Sequence, residues 1–172
     1  MFEYLAPFSR IIVTGPQRSG TTICAAMIAH DLGYKFYTED RIHTRSVWLA
    51  NELLWHDTNF VLQAPAICRW VHYVAFATEV AVVLMRRKLD DIHASEHRIR
   101  WAGSYHNKVE LMAYGLKEGD SAAVKYAYWD QKQKAMILNP FEVEYESLAA
   151  HPMWVPKEER VHFRSRQYRR EG

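Results

Sequence analysis

The chain has 172 residues, 49% of them apolar, six tryptophans and a formal net charge of +2. That length suits one domain with a real core over 1–172, and the composition excludes a disordered chain. So balanced a charge gives no case for a general polyanion binder, although the stretch RVHFRSRQYRREG gathers five arginines and makes 157–172 a basic C-terminal segment.

Taken in chain order, consecutive Ile11, Ile12 and Val13 predict a strand over Arg10–Thr14 that is buried on both faces. Ile23, Met27 and His30 recur at helical spacing, so a helix is expected over 20–32, closed by Gly33. A short strand, 34–37, leads into the polar loop TEDRIHTR. Residues 46–56 read as a helix with Val47, Ala50, Leu53 and Leu54 on one side. Phe60–Gln63 reads as a third strand, and Pro65 suits the first turn of a helix through residue 77. The unbroken apolar run 80–85 belongs in mid-sheet. Helices are expected over 90–101, 104–116 and 121–138, and a last strand over 141–145. Short strands alternating with helices indicate a three-layer α/β domain of the P-loop type, its central, mainly parallel sheet flanked by helices. The N-terminus has no signal-peptide pattern, and no apolar run approaches the ~20 residues of a membrane helix. With Cys24 and Cys68 expected to be free thiols, a cytoplasmic location is expected.

The segment IIVTGPQRSGTT carries the chemistry. Gly15 and Gly20 stand with four residues between them, between a strand and a helix, as in a phosphate-binding loop, but Thr21-Thr22 replaces the usual lysine and hydroxyl residue. Backbone N–H groups and the helix dipole make an anion site there without any particular side chain. Thr21 and Thr22 add hydroxyls, and Arg18 can donate two parallel hydrogen bonds. A nucleoside triphosphatase or kinase also needs an acid at a strand end to hold magnesium. The run VAVVLMRR ends in arginines instead, and NFVLQAP has no acid at its end. The loop therefore reads as a holder of a phosphate-like group, with no metal expected.

GPQRSGTT resembles the 5′-phosphosulfate loop of the sulfotransferase family, in which proline and a lysine or arginine precede Ser-Gly-Thr-Thr. A second motif agrees. The family follows a central strand with an arginine and, eight residues on, a serine, and VLMRRKLDDIHAS offers Arg87, Asp91 and Ser95 at those offsets, with Leu89 where proline is usual. NFVLQAP resembles a family strand end, with Gln63 in place of lysine. EVEYESLAAHP resembles its closing strand-to-helix segment through Tyr145, Glu146, Leu148 and Pro152.

The resemblance implies a short family member that takes a sulfuryl group from 3′-phosphoadenosine 5′-phosphosulfate (PAPS) and gives it to a hydroxyl or amine. It places the donor's 5′ end on Gly15, Pro16, Gln17, Arg18, Ser19, Gly20, Thr21 and Thr22, and its 3′-phosphate on Arg87 and Ser95. The plainer alternatives are an ion pair of Arg87 with Asp90 or Asp91, and an exposed helix hydroxyl at Ser95. Arg18 is the candidate for stabilising the leaving group. Glu39, after the second strand, is the candidate base, against a solvated loop whose acids pair with Arg41 or Arg45; His43 and His93 are other bases near ligand loops. Tyr126, Trp129, Gln133 and Met136 share a helix face that suits core packing or an acceptor pocket. The basic tail either closes over the 3′-phosphate or is a solvated end. Three other functions fit less of this pattern: a variant P-loop kinase, a non-catalytic nucleotide-binding or interaction module, and a nucleic-acid binder using the tail.

Overall fold

The computed structural model describes residues 1–42, 46–74, 78–99, 105–117 and 119–155. His43, Arg45, Trp101 and the basic segment 157–172 lie outside them. Five strands, β1 (Arg10–Thr14), β2 (Lys35–Tyr37), β3 (Phe60–Gln63), β4 (Val80–Arg86) and β5 (Pro140–Glu144), form one sheet in the order β2-β3-β1-β4-β5. Every pairing is parallel; Ile12 of β1 lies opposite Leu62 of β3 on one side and Val82 of β4 on the other.

The consecutive apolar residues of β1, β3 and β4 are explained by burial on both faces. Ile12, Leu62, Val82 and Leu84 point into one core with Ala50, Ile67, Val71 and Trp129. Ile11, Val13, Val61, Val83 and Met85 point into the other with Met27, Ile28 and Leu148. Helix α1 (Thr21–Leu32) covers the second face and ends in Gly33 at φ 65, the left-handed cap its position predicts. Helix α2 (Val47–His56) covers the first, its N-terminus capped by Ser46 Oγ, which accepts from Leu49 N–H at 3.1 Å. These three layers are the architecture that the alternation of elements predicts. Cys24 and Cys68 are buried thiols that form no disulfide, and no described helix is long and apolar enough to cross a membrane.

Two helices differ from expectation. The segment after β3 is a 3-10 helix, Pro65–Tyr73, rather than an α-helix. The helix expected over 121–138 is α5 (Ser121–Tyr128), then a π-helical turn Trp129–Gln133, then α6 (Lys134–Met136). The π turn is held by Gln133, whose Nε2 donates to the carbonyls of Cys68 and Arg69 at 2.7 Å. Because it holds more residues than an α turn, the 3.6-residue stripe breaks there: Trp129 and Gln133 are buried while Met136 is exposed. Helices α3 (Leu89–Arg98) and α4 (Tyr105–Ala113) complete the crossover from β4 to β5.

Candidate functional site

β1 sits between β3 and β4, and the chain builds first toward one edge and then toward the other, so the carboxyl end of β1 is where such sheets form a ligand crevice. The 15–22 loop lies there. Thr14 anchors it, its hydroxyl donating to Ala64 O at 3.0 Å just beyond β3. Gly15 turns at φ 144, where a Cβ would meet both Met85 O and Ser19 Oγ at 3.0 Å, so only glycine fits without a shift. Ser19 is fully buried and closes the loop, donating to Pro16 O through its hydroxyl at 2.7 Å and its N–H at 3.2 Å. Pro16 is buried and Gln17 half-buried. No side chain caps α1, so the first N–H groups of the helix remain available to a ligand at its positive end. Thr22 is exposed at that end, and buried Thr21 accepts from Gln63 Nε2 at 3.3 Å.

Arg18 is held at φ 67, a left-handed conformation that costs a non-glycine residue about 1 kcal/mol. The turn aims its side chain at α3, where its Nε donates to Ser95 Oγ at 3.0 Å. Arg87 meets the same loop from β4, donating through Nη1 to Arg18 O at 2.9 Å. Arg98, one helical turn beyond Ser95, donates to the same Oγ at 3.3 Å. Burial, then the charges of Arg98 and Arg87, lower the pKa of Arg18 from its usual value. Nearby Glu96 is shifted upward, chiefly by burial. Two guanidinium groups thus meet at one buried serine with a third, that of Arg87, on the adjoining loop carbonyl, an arrangement that like-charge repulsion disfavours unless an anion completes it. Ser95 is 5% exposed and not the solvated hydroxyl of the plainer reading, and Arg87 pairs with neither Asp90 nor Asp91. Leu89 is the first residue of α3, the position that proline also suits, so its difference from the family motif leaves the helix start intact.

Tyr145 joins this cluster. Its ring lies under the Arg87 guanidinium, 4.1 Å from centroid to Cζ, and against Gly20, where a Cβ would come within 2.5 Å of Cδ2. Arg86, the other arginine at the end of β4, turns instead to Asp130 and Glu142. The Tyr126 hydroxyl separates the two arginines by accepting from Arg87 N–H at 3.0 Å and donating to Met85 O at 3.1 Å.

Glu39 opens the short 3-10 turn Glu39–Ile42, and its N–H donates to Gln63 Oε1 at 3.4 Å. Gln63 therefore bridges Thr21 of the loop and the backbone of the candidate base. Glu39 Oε2 lies out of solvent. His93 is exposed and pairs with Asp120 at 2.8 Å. His30 is exposed beside Asp31.

Three members of the site escaped the sequence reading. Lys125 of α5 is 2% exposed and donates to Gln17 Oε1, so an ammonium reaches the loop from 108 positions away. No local pattern marks it. Arg98 had a signal, its i+3 spacing from Ser95 on a helix. Tyr145 was visible as part of a motif, but its contact with Gly20 was not.

Among solved structures, shikimate kinase from Acinetobacter baumannii in complex with shikimate matches with a TM-score of 0.54 at 13% identity, over 83% of this chain and 88% of that one. The YorR protein of Bacillus subtilis in complex with phosphorylated GDP matches at 0.48 and 13% identity, over 79% and 85%. No protein-family model matches the sequence, and no curated protein matches it significantly. At such identity the likeness to shikimate kinase is one of fold, that of a three-layer P-loop-type domain.

Proposed function

We propose that the chain is a P-loop group-transfer enzyme whose donor carries phosphate at both the 5′ and 3′ ends of one nucleoside, and that this donor is PAPS. The observation that carries the reading is the meeting of Arg18 and Arg98 on Ser95 Oγ beside the phosphate loop, with Arg87 donating to the carbonyl of Arg18. The N–H groups of the loop and the start of α1 suit the 5′-phosphosulfate, and Arg87 and Arg98 beside Ser95 suit the 3′-phosphate. A nucleotide with phosphate at one end only would leave one of these sites unfilled.

In this reading the acceptor's oxygen or nitrogen bonds to sulfur while the bond from sulfur to the bridging phosphate oxygen breaks. The acceptor's proton passes to Glu39, and the electron pair leaves on the 5′-phosphate oxygen. Arg18, whose terminal nitrogens donate to no protein group among the described residues, is positioned to meet that developing charge.

A second reading is favoured by the likeness to shikimate kinase and by Lys125, which supplies the ammonium that residue 21 lacks. In it the donor is ATP with magnesium, and a phosphoryl group passes to a small acceptor. Two parallel incubations separate them, one with sulfur-labelled PAPS without metal and one with γ-labelled ATP and magnesium. Slow release or transfer of sulfate supports the first reading and release of phosphate the second. Donor binding without turnover of either points to a non-catalytic nucleotide-binding module.

A further inference from the structure

Lys125 is charged yet buried, and its ammonium donates to Gln17 Oε1 of the phosphate loop. Two neighbours in sequence fix that placement. Asp120 caps the start of α5, its carboxylate accepting from the N–H groups of Ala122 and Ala123 at 2.9 and 3.2 Å. Tyr126, the residue after Lys125, ties the helix to the end of β4 through Met85 O and Arg87 N–H. The helix is therefore held against the carboxyl end of the sheet, with Lys125 delivered to the loop.

A buried ammonium is costly unless an anion faces it. The Gln17 amide is neutral, so it fixes where the charge sits without cancelling it. Glu96 feels the charges of Lys125 and Arg18, but burial, the largest influence on it, raises its pKa and favours its neutral form. The loop itself lacks a lysine at both positions where one is expected. Residue 21 is threonine where a phosphate loop carries lysine, and residue 63, at the end of β3, is glutamine.

We propose that Lys125 is a donor-binding residue, the cation missing from positions 21 and 63, and that it contacts the anionic group at the donor's 5′ end. The inference rests on the reading of the 15–22 loop as the seat of that 5′ end. It adds the side chain that charges the seat, whether the unit transferred is sulfuryl or phosphoryl. Lys125 keeps its protons and forms no covalent bond. In sulfuryl transfer it stabilises the electron pair that leaves on the 5′-phosphate oxygen.

The test is calorimetric titration of the full chain, without metal, with 3′-phosphoadenosine 5′-phosphate and with adenosine 3′-phosphate, which lacks the 5′ group. Lys125→Met and Lys125→Gln remove the charge by two routes, so the comparison survives if one of them fails to fold. Each is expected to bind the bisphosphate at least about tenfold more weakly than the parent chain. Each is expected to bind adenosine 3′-phosphate as the parent does, an outcome that a merely structural role for Lys125 would not give. Undiminished binding of the bisphosphate, or equal losses for both ligands, overturns the proposal and leaves the donor reading standing. Magnesium-ATP is titrated alongside. If it binds where the bisphosphate does not, and weakens in the same variants, the bisphosphate reading falls and the role of Lys125 stands. Magnesium-ATP binding that is indifferent to Lys125, or a parent chain that binds none of the three, overturns both.

Discussion

Ser95 Oγ accepts a hydrogen bond from Arg18 Nε at 3.0 Å across 77 positions of sequence, and this one contact joins the phosphate loop to the helix that follows β4. Arg98 reaches the same oxygen, so a single hydroxyl orients two guanidinium groups. Removing it leaves both side chains free to rotate. Ser95→Ala is expected to weaken binding of 3′-phosphoadenosine 5′-phosphate by about tenfold, the worth of one or two hydrogen bonds to charged groups. Unfolding in urea should change little, and together the two measurements separate a binding role from a structural one.

Gly20 is fixed by both backbone and neighbour. At φ 101 an L side chain is strained, and its Cβ would enter the Tyr145 ring at 2.5 Å. Gly20→Ala is expected to cost about 1–3 kcal/mol from the backbone alone, with the clash in addition. Urea denaturation of Gly20→Ala and of the double variant with Tyr145→Ala checks this. The double variant should recover the part due to the clash and keep the part due to φ.

Glu39 lies where Gln63 ties its backbone to the loop, which suits a base whose position matters more than its own affinity for the donor. Glu39→Gln is expected to lower turnover by roughly 100- to 10,000-fold while donor binding stays within a few-fold. Single-turnover rates and calorimetry on the same preparation give the two numbers.

Stability should fall in acid for a local reason. The Asp57 carboxylate accepts from the Lys35 ammonium and the Tyr37 hydroxyl, which lower its pKa to about 2. Burial opposes ionisation of Glu142, yet Arg86, Lys134 and the Trp129 indole N–H hold it at about 2. A carboxyl depressed in the folded chain stabilises it fully above the unfolded value of ~4, and that contribution is lost as pH falls through the folded value. Urea midpoints measured between pH 5 and pH 2 should therefore decline most steeply below pH 4, and Asp57→Asn should flatten the decline by ~1 kcal/mol at most, because the pair is partly exposed.

The strands and the phosphate loop were legible because both rest on local patterns. Runs such as Val80–Met85 are apolar at every position only if both faces are covered, and Gly15 and Gly20 mark a turn wherever they fall. Arg87 and Ser95 were legible through their spacing across a strand-to-helix turn. What a local pattern cannot show is which distant side chain arrives. Lys125 reads as one lysine in an amphipathic helix, yet the packing of α5 carries it to Gln17. The π turn at Trp129–Gln133 was hidden for the opposite reason: it satisfies carbonyls on the 3-10 helix after β3, so its cause lies outside its own sequence.

The central claim is that the donor is recognised at both ends. Calorimetric titration with 3′-phosphoadenosine 5′-phosphate in the absence of metal tests it most directly, with adenosine 5′-phosphate and magnesium-ATP titrated alongside and Arg87→Ala as the variant. The account predicts micromolar binding that requires the 3′-phosphate and weakens at least about tenfold in Arg87→Ala. Equal binding of adenosine 5′-phosphate, or tighter binding of magnesium-ATP that is indifferent to Arg87, would contradict it.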